Sequence, residues 1–84
     1  MTDIYDEIRA ERTRQDAKFG PQSHSPLEWL PILVEEVGEV SREVCENHHS
    51  WYYGKRDHEN YRNELIHVAA VCVHMIECID GKAE

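Results

Sequence analysis

The pentapeptide Glu35-Glu36-Val37-Gly38-Glu39 places three carboxylates and a glycine within little more than one helical turn. At about 100° per residue, Glu36, Glu39 and Glu43 share one side of a helix within an arc of roughly 60°. That arc borders the apolar stripe Leu30, Leu33, Val37, Val40, Val44, which the spacing marks as buried. Like charges three and four residues apart repel. Carboxylates at the edge of a core lose hydration. A glycine inside a helix costs about 1 kcal/mol against alanine. Three local penalties at one place point to a functional site, and binding a divalent cation is the chemistry that offsets them. Gly38 would then allow another helix or a ligand to come close. Glu35 lies about 100° round the helix from Glu36. It is the weaker ligand and better suited to orient a water or act as a base.

A second acidic position follows in Glu64, beside the apolar stripe of a later helix, with His67 three residues on. If the two helices pack antiparallel, Glu64 and His67 face Glu36 and Glu39. Helical bundles build metal sites from such i,i+3 pairs on facing helices.

The elements that must position these groups are three helices, and the fold class is all-α. The first spans about Asp3 to Lys18, capped by Thr2 or Asp3 and ended by Gly20-Pro21. Its string from Glu11 to Lys18 is polar and reads as a solvated face with pairs such as Glu11 with Gln15. Ser25-Pro26-Leu27-Glu28 reads as a capping box with proline at the first helical position. The second helix runs from there to about Glu46, and Pro31 should kink it or split off a leading turn. Asn47 to Lys55 reads as an aromatic loop. Asp57 can cap the third helix, which ends at Gly81. That helix carries a main stripe (Leu65, Val68, Cys72, Met75, Ile76, Ile79) and a second apolar strip (Ile66, Ala70, Val73). One chain of 84 residues makes one domain, too short to cover both. A homodimer or larger assembly, with the third helix near the interface, is therefore expected.

Composition narrows the function. Seventeen acidic residues against nine basic ones give a net charge of −8, which disfavours general nucleic-acid binding. Three cysteines, Cys45, Cys72 and Cys78, form no CxxC pair and read as buried free thiols suited to a reducing cytosol. No apolar run approaches the ~20 residues that span a membrane, and the N-terminus is charged. A cytoplasmic, soluble protein is expected.

The motif Glu35-Glu36-x-x-Glu39, a gap, then Glu64-x-x-His67 resembles the EExxE…ExxD pattern of the all-α NTP pyrophosphatases, the MazG-like superfamily. Glu11-Arg12-x-Arg14-Gln15-Asp16-x-Lys18-Phe19-Gly20, Pro26-Leu27-Glu28-Trp29-Leu30 and Glu64-Leu65-Ile66-His67-Val68-Ala69-Ala70-Val71 are similar to its short phage and mobile-element members. The resemblance implies an oligomeric helical bundle over residues 1–84 that hydrolyses (d)NTP to (d)NMP and pyrophosphate. It implies Mg²⁺ held by Glu36, Glu39 and Glu64, with His67 where the pattern has aspartate. Mg²⁺ prefers oxygen, whereas imidazole suits Mn²⁺, Co²⁺, Ni²⁺ or Zn²⁺. His67 would shift the metal preference, act on a bound water, or lower activity. Lys55 and Arg56 would meet the phosphates. Arg12, Gln15, Asp16 and Lys18 would reach sugar or base, and Trp51, Tyr52 or Tyr53 would stack on the base. Trp29 reads as core.

Two other readings stand beside this one. Six histidines (His24, His48, His49, His58, His67, His74) suggest a transition-metal binding protein without hydrolysis, although no spacing matches a zinc pattern. The missing aspartate suggests a non-catalytic dimeric helical module.

Overall fold

A computed structural model describes residues 3–52 and 58–81, leaving aside the side chains of 49–52. It consists of α1 (Ile4–Phe19), α2 (Pro26–Tyr52) and α3 (Glu59–Ile79), so the expected three-helix all-α architecture is present.

Each helix begins or ends where local chemistry dictates. Asp3 caps α1 in a reciprocal capping box with Asp6. Gly20 closes α1 at φ 72°, a left-handed value that favours glycine, and its N–H donates to the Asp16 carbonyl at 2.9 Å. At the start of α2 the Glu28 N–H donates to Ser25 Oγ at 3.2 Å, and the Ser25 N–H donates to Glu28 Oε1 at 2.8 Å. Pro31 lies inside α2, and the helix is continuous through it, so no separate leading turn forms. Helix α2 also runs past Glu46 to Tyr52, which removes most of the expected loop. Asn47 helps explain this. Its side-chain amide donates to both the Glu43 carbonyl and Glu43 Oε2 at 2.9 Å, so it reinforces the turn behind it. Asp57, the expected cap of α3, lies outside the described residues. The N-cap position is occupied by His58.

Helix α3 is the central element. It packs against α1 and against α2, which among the described residues do not pack directly on each other. Contacts set the directions. Glu7 pairs with Arg62 and Arg12 with Glu77, so α1 runs parallel to α3. Trp29 meets His74, while Glu36 lies with Glu64 and His67, so α2 runs antiparallel to α3. The buried core is Trp29, Ile66, Ala70, Val71 and His74, joined by Glu11 and Arg12.

This core corrects the sequence reading of both apolar helices. The strip read as secondary supplies Ile66 and Ala70 to the core, whereas Leu65, Ile76 and Ile79 of the main stripe are exposed. On α2, Leu30, Val37 and Val44 are exposed too, as are Leu27 and Val34. Periodicity identifies an apolar face but not which neighbour it meets. A Cβ added at Gly38 would meet nothing within 4 Å, so within the chain nothing comes close there. The three cysteines are free as expected, but Cys45 is exposed.

His74 is only 2% exposed and Trp29 only 3%. Trp29 meets the His24 and His74 rings edge-on, with centroids 4.8 and 4.7 Å away. Burial, and then the Arg12 guanidinium, hold His74 below the usual histidine range. The Gln22 carbonyl, on the loop between α1 and α2, accepts from the Cys78 thiol at 3.6 Å.

Ala70 has no exposed surface and lies on the central helix. Ala70→Leu should lower stability by about 1–3 kcal/mol through overpacking, read as a fall in the urea midpoint at unchanged slope. An unaltered midpoint would refute this packing.

Candidate metal centre

The antiparallel α2–α3 contact brings Glu36, Glu64 and His67 together. One ligand atom from each lies within 4.8 Å of the other two, and all three residues are partly buried. His67 Nδ1 faces Glu64 Oε2 at 3.5 Å, and its Nε2 faces Glu11 Oε1 at 3.7 Å. Two carboxylates and one imidazole are a donor set that fits a divalent cation, with transition metals favoured over Mg²⁺.

The electrostatics agree with that fit. Burial, the largest cause, pushes the Glu36 carboxyl above its ordinary range. The His67 ring opposes this, and the charges of Glu64, Glu39 and Glu35 add to it. Four carboxylates therefore crowd one short stretch of the α2–α3 interface.

Not every residue expected at the site is there. Glu39 stands outside the triad and pairs with Arg42 at 2.5 Å. The Arg42 guanidinium three residues on offsets part of the Glu39 charge, the rest of which still acts on Glu36. Glu35 is exposed and lines a cleft of about 250 Å³ beside Glu36, together with Gln15, Phe19, Gln22 and Trp29, above a floor of Val71 and His74. Arg12 and Asp16 pair with each other at 3.0 Å, and Arg12 Nε donates to Glu77 Oε1 at 2.9 Å. Arg12 is buried tying α1 to α3, so it is not a free substrate cation. Lys18 is exposed, with its ammonium 5.0 Å from the Phe19 ring centre. Lys55, Arg56 and Tyr53, and the side chains of Trp51 and Tyr52, lie outside the described residues. His74, one of the six histidines, is enclosed against Trp29 and, among the described residues, does not join the grouped ligand atoms.

Two residues emerge that the sequence reading passed over. Arg14 lines a polar cleft of about 660 Å³ with Glu43, Asn60, Asn63, Glu64 and His67. Glu11, read as solvated, is 7% exposed. It accepts from Gln15 Nε2 at 3.4 Å and from Arg14. The signal for Glu11 was present: Ile4, Ile8, Glu11 and Gln15 share one helical face. The triad thus draws on the linings of two clefts, with Glu36 on one and Glu64 and His67 on the other.

No protein-family model, no curated protein and no solved structure matches the chain.

A carboxyl held above its unfolded-state pKa retains its proton longer in the folded protein. Stability from Glu36 therefore falls as pH rises from about 4 through its raised folded value. Without metal, Glu36→Gln should be more stable than the parent at pH 7, and the difference should vanish below pH about 4. Thermal melts across pH in chelator check this. A variant less stable than the parent at pH 7 would contradict the crowding described.

Proposed function

We propose that the protein is a metal-dependent nucleoside triphosphate pyrophosphohydrolase, cleaving (d)NTP to (d)NMP and pyrophosphate. The observation that carries this reading is the meeting of Glu36, Glu64 and His67 between two helices, each lining a cleft. The motif resemblance supplies the reaction class.

Glu36, Glu64 and His67 would hold the metal, with Glu39 near enough to add its charge. A divalent cation held by these residues would supply charge to offset the triphosphate and would acidify a bound water. Glu35, exposed on the Glu36 cleft, would accept a proton from an attacking water. Gln15 and Gln22 offer amide donors and acceptors to a base, and Phe19 and Trp29 line the same cleft. Arg14, Asn60 and Asn63 supply charge and hydrogen bonds to phosphate oxygens from the other cleft. The exposed apolar faces of α2 and α3 support assembly into a homodimer or tetramer.

His67 favours a second reading, a transition-metal binding protein without hydrolysis. Incubation with each common dNTP and NTP, with Mg²⁺ or Mn²⁺, separates the two. Release of pyrophosphate and monophosphate is expected. Glu36→Gln and Glu64→Gln should each reduce it by more than the roughly 10–100-fold typical of outer-shell partners. No turnover with any pair, alongside Zn²⁺ or Ni²⁺ retention lost in His67→Ala, would establish the second reading. Light scattering should give at least twice the chain mass, and Val37→Lys should reduce it. A parent protein that is monomeric at all concentrations would remove assembly from the proposal.

A further inference from the structure

Glu11, on α1, faces the triad from the helix that contributes none of its three ligands. It is buried at the α1–α3 contact. Its partners on its own helix, Arg14 and Gln15, lie toward the surface side, and Arg14 is mostly exposed. A buried carboxylate is costly unless it is paired; Arg14 and Gln15 pair Glu11 on its own helix, and a further group lies near the same Oε1 across the α1–α3 contact. The group it faces there is the His67 ring. Glu11 Oε1 is 3.7 Å from Nε2, just outside hydrogen-bonding distance. The other ring nitrogen, Nδ1, faces Glu64 at 3.5 Å, on the side of the triad. The two ring nitrogens therefore have different neighbours: a ligand carboxylate at one, a buried carboxylate at the other.

We propose that Glu11 is the positioning residue of this centre, holding the Nε2–H of His67 so that Nδ1 is presented to the metal. The inference rests on the metal-dependent reading above. A histidine ligand has two tautomers and a rotatable ring, and the hydrogen bond at its non-ligating nitrogen selects one orientation. An aspartate at this position would need no such selection, because a carboxylate offers equivalent oxygens. Glu11 is thus the companion of the imidazole: its role exists only while residue 67 is a histidine.

That dependence supplies the test. Mn²⁺ binding to the full chain is measured by electron paramagnetic resonance for the parent, Glu11→Gln, His67→Asp and the double variant. Circular dichroism checks that each folds. Glu11→Gln should weaken Mn²⁺ binding roughly 10–100-fold in the parent. In the His67→Asp background the same change should shift it less than about 3-fold, since the coupling is lost. An equal loss in both backgrounds would show that Glu11 acts structurally or ligates directly. No loss in the parent would overturn the proposal outright. Should Glu11→Gln not fold, the imidazole ¹⁵N spectrum of the Zn²⁺-loaded parent decides. A protonated Nε2 on His67 is expected, and a protonated Nδ1 overturns the proposal. If the parent binds neither Mn²⁺ nor Zn²⁺, the metal-dependent reading and this inference fall together. If it binds metal and Glu11→Gln is neutral, this inference alone fails.

Discussion

Charge, rather than apolar area, attaches α1 to the rest of the molecule. The helix has little hydrophobic content and keeps Ile4, Tyr5 and Phe19 largely exposed. Its links to α3 are the bidentate Glu7–Arg62 pair at 2.6 Å, the Arg12–Glu77 pair and the approach of Glu11 to His67. Exposed pairs contribute little to stability. Arg12 and Glu11 are buried, however, and removing one member of a buried pair leaves an uncompensated charge. The α1–α3 contact therefore specifies how α1 sits more than it adds net stability. Because Glu11 belongs to that contact, the placement of α1 also sets the surroundings of His67.

Much of this was legible in the sequence where the signal is local. Asp3, Ser25 with Glu28, and Gly20 each satisfy or close a helix end through groups a few residues away, so their roles follow from spacing alone. The pairing of Glu36 with Glu64 and His67 was legible because two short motifs on two helices leave one antiparallel arrangement that joins them. Burial was less legible. The apolar pattern of α3 shows two strips, and nothing in the pattern says that Ile66 and Ala70 face the chain while Leu65 and Ile76 face outward. That choice depends on where α1 lies, and α1 is held by charges that look like ordinary surface residues. Glu11 and Arg12, read as part of a solvated face, are buried for the same reason.

The exposed apolar residues of α2 and α3 set the remaining constraint. Leu27, Leu30, Val34 and Val37 on α2, with Ile76 and Ile79 on α3, are far more apolar surface than scattered single residues. A chain of this length has a small interior, and much of that interior is taken by Trp29, His74 and Arg12 rather than by aliphatic side chains. Gly38 sits in open space within this exposed region.

The alternating directions of the three helices have a last consequence. They stratify the molecule across its long axis. One stratum holds Glu11, Glu36, Glu64 and His67, and another holds Trp29 and His74. His67 and His74 are seven residues apart on α3, so these strata are separated by about 10 Å of helix rise. The cleft lined by Glu35, Glu36, Trp29 and His74 runs between the two. A change at Trp29 or His74 therefore reaches the wall of the cleft that Glu36 lines, so the enclosure of the aromatic level shapes the acidic one.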